Sequence, residues 1–204
     1  MRVVVHMAAL LCSLCGARAA RAAQREGFVL PGLHRLRGST QLIRAALLND
    51  LPRVLQLVQL GAPLGLVEES DKWSALHWAC CLGHEAVAKA LLDGKYEGRG
   101  ADVNLLSGEW TPLMLASANG REGVVRLLLA RGAEVGLQEK SGWTALHIAV
   151  NNDQAGVLKL LCAAPGAAAA LALRESYGRT PLASAMLLRH AACVDMLRAR
   201  GAPE

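Results

Sequence analysis

The chain has 204 residues, of which 53% are hydrophobic, 19% charged and only 3% aromatic, and its formal net charge is +5. This charge lies at the N-terminus: residues 39–204 contain 16 Lys and Arg against 16 Asp and Glu, whereas residues 1–38 contain six basic residues and one acid. Most of the chain is therefore neutral, and we expect no nucleic-acid partner on the ground of charge.

Residues 1–38 form a leader and linker whose composition differs from the rest of the chain. Arg2 precedes an apolar stretch from Val3 to Cys15, and small residues follow. This order is typical of a secretory signal peptide, whereas arginines with no acid before Glu26 are typical of an organelle transit peptide. A third interpretation is an extension that is not cleaved. A membrane contact is expected only if this leader is an anchor.

After the leader, one short sequence pattern recurs at nearly even spacing, which indicates a repeat protein. Successive copies are 34, 37, 33 and 36 residues apart, starting at the following residues: Thr40, Ser74, Thr111, Thr144 and Thr180. We therefore divide the chain after the leader into five predicted repeats within one domain, residues 39–204: about 39–70, 71–106, 107–139, 140–175 and 176–204.

The third repeat shows what each unit contains. Thr111-Pro112 predicts the start of a helix, and Asn119-Gly120 its end. A second apolar-faced helix is predicted from about Glu122, with Gly132 supplying a left-handed residue after it. Each unit is thus a pair of short helices joined by a turn. Helices this short depend on stacking against neighbouring repeats for their stability.

Three motifs resemble the ankyrin-repeat family: Thr144-Ala145-Leu146-His147, Gly83-His84 and Gly100-Ala101-Asp102-Val103-Asn104. The resemblance covers about residues 39–204. It implies an all-α fold, an ankyrin-like solenoid of about five helix-turn-helix repeats joined by short hairpin turns. Lys72 and Glu109 stand where the family usually has Gly, so we expect those two turns to be shifted or strained.

No catalytic, cofactor or metal site is predicted. The sequence has no phosphate-binding loop, no Gly-x-Ser-x-Gly nucleophile motif and no Cys and His spacing typical of zinc. We therefore expect neither an enzyme nor a small-molecule substrate. The resemblance implies that four histidines, His77, His84, His147 and His190, hydrogen-bond backbone groups.

Cysteine use and the family resemblance favour the cytoplasm or nucleus. Free thiols are typical of a reducing compartment, and we expect small core or groove residues at Cys80 and Cys81. The alternative is a secreted or organelle-targeted protein, if residues 1 to about 22 are cleaved.

The few aromatic residues are the strongest candidates for a binding site. Trp73, Trp110 and Trp143 occupy the same position in successive repeats, and Arg179 takes that position in the fifth. The resemblance places them near the hairpin end of a concave face, where they form a ladder. Trp and Arg are enriched in binding hot spots, although packing on a neighbouring turn is the alternative interpretation. Further candidates at helix ends and in turns are Leu82, Asn119, Asn151, Asn152, Ser141 and Tyr177.

These features predict a non-enzymatic protein–protein interaction module, an adaptor, scaffold or inhibitor that binds a protein or peptide segment. The alternative is a regulatory or effector subunit that the leader delivers to a membrane, the secretory route or an organelle. The oligomeric state is not predicted. The last repeat is rich in apolar residues such as Met186, Leu187 and Val194. Apolar residues beyond those that pack on the fourth repeat favour a homodimer, a further partner or a marginally stable end.

Overall fold

The computed structural model describes residues 41–67, 72–94 and 100–203, so the leader and its targeting interpretations lie outside the described residues. Within these ranges the chain is all-α, as predicted, with isolated β-bridges but no strand. None of the described helices is long and apolar enough to span a membrane. The helices are α1 (Gln41–Leu47), α2 (Leu51–Gln59), α3 (Ala75–Leu82), α4 (Glu85–Asp93), α5 (Pro112–Ala118), α6 (Glu122–Ala130), α7 (Ala145–Asn151), α8 (Ala155–Ala163), α9 (Ala167–Leu171), α10 (Pro181–Leu188) and α11 (Ala191–Ala199).

The chain divides into two compact units between Asp102 and Val103. In the first unit, α1 and α3 pack together as the first helices of two repeats, and α2 and α4 pack together as the second helices. In the second unit, α5, α7 and α10 stack in that order, and so do α6, α8 and α11, while α9 packs on α8. Both units therefore consist of stacked helix pairs.

Threonine side chains define where the first helices of the second unit begin. The hydroxyl oxygens of Thr111 and Thr180 accept hydrogen bonds from the backbone N–H groups of Met114 and Ala183, both at 3.2 Å. A proline directly after each threonine fits the first helical turn, where its missing N–H costs nothing. The helix start predicted at Thr111-Pro112 and the break at Asn119-Gly120 are confirmed by α5 and α6.

Left-handed backbone recurs at fixed points of the repeats, whichever residue stands there. The turn between the two helices has positive φ in all five repeats, although only two of these residues are glycine: Asn49, Gly83, Gly120, Asp153 and Arg189. In the hairpin turns, Lys72 (φ 59°) and Glu109 (φ 79°) adopt the conformation that Gly142 and Gly178 also adopt. The turn at Glu109 is shifted as well as strained: Trp110 pairs with Ser107 three residues earlier, whereas Trp143 and Arg179 pair with residues four positions earlier, and Gly108 also has a positive φ of 58°. Lys72 and Glu109 carry the strain of a left-handed conformation. Residues 68–71, before Lys72, lie outside the described residues.

The core of the second unit lies between its stacked helices. The middle helix α7 has α5 on one side and α10 on the other, and six of its seven residues are buried. Only four of the eight residues of α10 are buried. Burial in a repeat protein depends on having a neighbour on both faces, because no single repeat encloses a core.

Candidate functional site

Each hairpin turn in the second unit is closed by one of the predicted contact residues. The backbone N–H groups of Trp110 and Ser107 donate to each other's carbonyl groups, at 3.1 and 3.0 Å. Trp143 bonds Glu139 in two ways: its carbonyl accepts the Glu139 N–H at 3.0 Å, and its own N–H donates to the Glu139 carboxylate at 3.0 Å. The carbonyl of Arg179 accepts the Glu175 N–H at 3.1 Å. The sequence position of the three residues thus corresponds to one structural position.

Contacts between the turns hold them side by side. Lys140 in the fourth repeat forms an ion pair with Glu109 in the third. The Ser176 N–H in the fifth repeat donates to the carbonyl of Ser141 at 2.8 Å. The three turns of the second unit therefore form one continuous strip rather than three separate loops.

His147 fixes the last two turns to each other. Its Nε2–H donates to the carbonyl oxygen of Arg179 at 3.1 Å, which leaves Nδ1 to accept from the hydroxyl of Thr144 at 2.9 Å. The ring centroid lies 6.3 Å from that of Trp143. Burial lowers the pKa of His147, and the hydrogen bond to Arg179 opposes this only in part. The predicted backbone hydrogen bond of this histidine is confirmed, and the ring is held neutral.

The buried carboxylate of Glu175 orients Arg179 and Tyr177 in the last turn. The side chain of Glu175 is fully buried and accepts from Nε of Arg179 at 2.8 Å and from the backbone N–H of Tyr177 at 2.9 Å. Burial alone would raise the pKa of Glu175, but these hydrogen bonds hold it below its ordinary value. The Arg179 guanidinium also lies 5.0 Å from the centroid of the Tyr177 ring. Arg179 is therefore ordered before any partner arrives.

Sequence reasoning did not identify Glu175. A signal was available, because Glu175 precedes Arg179 by four residues just as Glu139 precedes Trp143. Both acids accept from the backbone N–H of the residue four positions later. An acid four residues before Trp143 and Arg179 predicts that a carboxylate closes these two turns.

We call the strip formed by Trp110, Ser141, Trp143, Tyr177 and Arg179 the turn surface. Tyr177 is 62% exposed, and the side chain of Arg179 is 35% exposed. Both tryptophans are half-buried, so each has one part fixed by the protein and one part in solvent. Rigid aromatic and arginine groups of this kind are the residues most often found at binding hot spots.

The predicted asparagines lie at the other end of the first helices. Asn119 and Asn152 each donate a side-chain N–H to the carbonyl four residues earlier, at 2.8 and 2.9 Å, and thereby cap α5 and α7. Asn151 is half-buried next to this cap. The seven residues of α7 separate these amides from the turn surface by about 10 Å, at 1.5 Å per residue. They form a second group, distinct from the turn surface.

In the first unit, the candidates Trp73 and Leu82 lie at opposite ends of α3. The Trp73 ring packs edge-on against Trp78, with centroids 4.8 Å apart and planes at 64°. Trp78 is half-buried, and its indole N–H is buried without a hydrogen-bond partner. Trp73 therefore packs within its own repeat, and Leu82 is half-buried at the end of the helix.

The other histidines and the cysteines within the described residues have structural contacts. His77 Nδ1 lies 2.8 Å from the hydroxyl oxygen of Ser74, and His190 bonds the carboxylate of Asp153 at 2.8 Å rather than a backbone group. Among the described cysteines, those at positions 80, 162 and 193 are free buried thiols, whereas Cys81 carries a disulfide bond, contrary to the expected free thiol. Burial raises the pKa of Cys193 to about 11, so this thiol is not a nucleophile at neutral pH. Within the described ranges no three His, Cys, Asp or Glu side chains could together hold a metal ion.

Comparison with protein families decides the class of this chain. A family model described as ankyrin repeats (3 copies) matches residues 42–139 and 128–203, well over half of the sequence. The chain belongs to the ankyrin-repeat family. Ankyrin repeats are protein–protein interaction modules, which agrees with a surface of ordered aromatic and arginine side chains.

Individual relatives match about half of this chain. The chain is 32% identical over 108 residues to SMC5-SMC6 complex localization factor protein 1 of Homo sapiens and of Bos taurus, which is 52% of this chain and 10% of each relative. It is 35% identical over 97 residues to a transient receptor potential cation channel subfamily A member 1 homolog of Caenorhabditis elegans, 47% of this chain and 8% of that protein. The chain thus spans about a tenth of the length of these relatives.

Proposed function

We propose that this ankyrin-repeat protein binds another protein through the turn surface of its second unit, as an adaptor, scaffold or inhibitor without catalytic activity. The observation that carries the proposal is the ordering of Arg179 and Tyr177 by the buried carboxylate of Glu175. Side chains that are already ordered lose little conformational entropy on binding, so more of the contact energy appears as affinity.

The expected partner presents an apolar segment with hydrogen-bond acceptors. The half-buried tryptophans and Tyr177 offer aromatic surface, and the guanidinium of Arg179 offers donors. The strip also carries little net charge, because Arg179 is paired with Glu175, and Lys140 with Glu109. A strongly charged partner surface therefore gains little here, whereas a peptide with apolar anchors fits the aromatic strip.

We also propose that the protein acts in the cytoplasm or nucleus. The support is the family resemblance together with the free thiols of Cys80, Cys162 and Cys193, whereas the disulfide bond of Cys81 is typical of an oxidising compartment. Fluorescent tagging at the C-terminus, which leaves the leader untouched, tests this. Signal confined to the secretory route or an organelle would contradict it.

The turn surface is tested by changing Tyr177 to Ala and comparing captured proteins from cells of the source organism. Tyr177 is largely exposed, so Tyr177→Ala is expected to leave the melting temperature almost unchanged. Leu60→Ala is the matched control, because Leu60 is 75% exposed and lies in the first unit. We expect Tyr177→Ala to capture less of the specific partner than the unchanged protein, and Leu60→Ala to capture the same amount.

The same pair of variants is then measured by calorimetric titration with that purified partner. We expect the affinity to fall about tenfold for Tyr177→Ala, equivalent to about 1.4 kcal/mol. Equal affinity of Tyr177→Ala and the unchanged protein would overturn the proposal. So would an equal loss in the Leu60→Ala control.

A further inference from the structure

The disulfide bond of Cys81 has its partner outside the described residues. The chain has six cysteines, and three of them are free buried thiols: Cys80, Cys162 and Cys193. None of these three is bonded to Cys81, so the cysteines that remain in the chain are Cys12 and Cys15. A bond within the chain therefore joins Cys81 to the leader.

Cys81 is also buried at a position where other repeats keep contact with solvent. The sulfur-bearing side chain at the end of α3 is fully buried. At the same position of the repeats in the second unit, Ala118 is 7% exposed, Asn151 is half-buried and Leu187 is 61% exposed. Full burial of the bonded residue at this position agrees with a segment that covers it.

The side chains around Cys81 form an apolar groove on the first unit. Trp78 lies three residues before Cys81 and four before Leu82, so the three share one side of α3. Leu48 takes the position of Leu82 in α1, is 42% exposed, and belongs to the helix that packs on α3. We call Leu48, Trp78, Cys81 and Leu82 the first groove. Among the described residues no acceptor meets the buried indole N–H of Trp78, and a segment lying across α3 brings backbone carbonyl groups that can accept it.

We propose that the apolar part of the leader docks in the first groove and is held there by a disulfide bond from Cys12 or Cys15 to Cys81. The leader fits an apolar groove by composition, because residues 3–17 contain no acid and no lysine or arginine. Three leucines lie next to the two cysteines: Leu10, Leu11 and Leu14. Apolar side chains of this kind gain free energy when they leave water for such a groove.

The chain between the leader and the first unit is long enough for this contact. About 25 residues separate Cys15 from Gln41, where α1 begins. An extended chain of that length spans about 80 Å, at about 3.3 Å per residue. Because α1 packs directly on α3, the distance to be covered is a small part of this reach.

The bond makes occupation of the first groove depend on redox conditions. Glutathione opens the bond by thiol–disulfide exchange: two glutathione thiols are oxidised to one glutathione disulfide, and the two protein sulfurs each take one proton to become thiols. Disulfides in a reducing compartment are usually transient and redox-sensing. The leader is therefore an internal ligand that closes the groove under oxidising conditions and releases it under reducing ones.

Peptide mapping of the full chain, equilibrated with mixtures of reduced and oxidised glutathione and then alkylated, tests the bond. Trypsin places the leader cysteines on residues 3–18 and Cys81 on residues 73–89. We expect these two peptides to be cross-linked under oxidising mixtures, and the link to be lost in Cys81→Ala. Cys80 lies on the same peptide, so Cys80→Ala is the matched control and is expected to keep the link. A bond to either leader cysteine supports the proposal.

Hydrogen exchange tests the docking itself. We expect amides of α3 to exchange faster after reduction of the unchanged chain, and reduction to have no effect on them in Cys81→Ala. Equal exchange in α3 before and after reduction of the unchanged chain would overturn the first groove as the docking site.

Three mapping results would overturn the bond: Cys81 free at every glutathione ratio, Cys81 bonded to another described cysteine or to a second chain, or a leader removed by cleavage. If Cys81→Ala does not fold, mapping and exchange of the unchanged chain still decide. Tyr177 lies in the second unit, so binding at the turn surface is tested separately.

Discussion

At the scale of single residues, the neutral histidine His147 links two turns of the second unit. Its hydrogen bonds use the tautomer with a proton on Nε2, and protonation of Nδ1 would remove the acceptor for Thr144. The ring is buried, which lowers its pKa. A histidine whose folded pKa lies below its unfolded value of about 6.5 stabilises the fold fully only above that pH, because the unfolded chain binds the proton more tightly.

We expect the melting temperature of the protein to fall as the pH is lowered from above 6.5, and to fall less in His147→Gln. Glutamine keeps a side-chain donor but does not titrate in this range. The other histidines are present in both proteins, so the difference between the two pH profiles reports on His147. Circular dichroism melts at matched pH values measure it, and identical slopes in the two proteins would contradict the expectation.

At the scale of the structural element, the hairpin before α10 depends on one ion pair. Glu175 is buried between the backbone N–H of Tyr177 and the guanidinium of Arg179. An ionised carboxylate without its cation is costly in a buried site, whereas removing both charges costs much less. Arg179 is thus both a candidate contact and a support for the turn surface.

We expect Arg179→Met to lower the free energy of unfolding by about 2 kcal/mol, a value reduced from that of a fully buried pair because Arg179 is partly exposed. The double variant with Glu175→Gln and Arg179→Met is expected to recover part of that loss, since no unpaired carboxylate remains. Urea unfolding of both single variants and the double variant measures the coupling. Strictly additive losses would show that the pair is not coupled.

At the scale of the whole molecule, stability depends on contacts between neighbouring repeats. Leu146 lies in α7, the helix with neighbours on both sides, and is fully buried. A cavity there removes packing from the third and fifth repeats as well as from the fourth. The effect is therefore expected to spread along the second unit rather than stay in one helix.

We expect Leu146→Ala to cost about 3 kcal/mol in urea unfolding and to speed hydrogen exchange in α5 and α10 as well as in α7. Leu60→Ala, at an exposed site, is the control and is expected to cost less than about 0.5 kcal/mol. Faster exchange confined to α7 and α8 would show that the repeats of the second unit are energetically independent.

Local sequence patterns were sufficient to predict the repeats, the helix pairs and the residues that start and end them. Thr111-Pro112 and Asn119-Gly120 act through hydrogen bonds and backbone preferences within a few residues, so they are visible in the sequence. The equivalence of Trp110, Trp143 and Arg179 was also visible in the sequence, because equal spacing in a repeat gives equal structural positions.

Which side chains support one another across the turns could not be predicted from local sequence, because it depends on how the repeats stack. The link of His147 to Arg179 spans 32 residues and that of Lys140 to Glu109 spans 31, distances over which no local preference acts. Burial of Glu175 and exposure of Met186 likewise depend on whether a neighbouring repeat covers them. Helix limits follow from contacts within one turn of chain, whereas burial and pairing follow from how the finished helices stack.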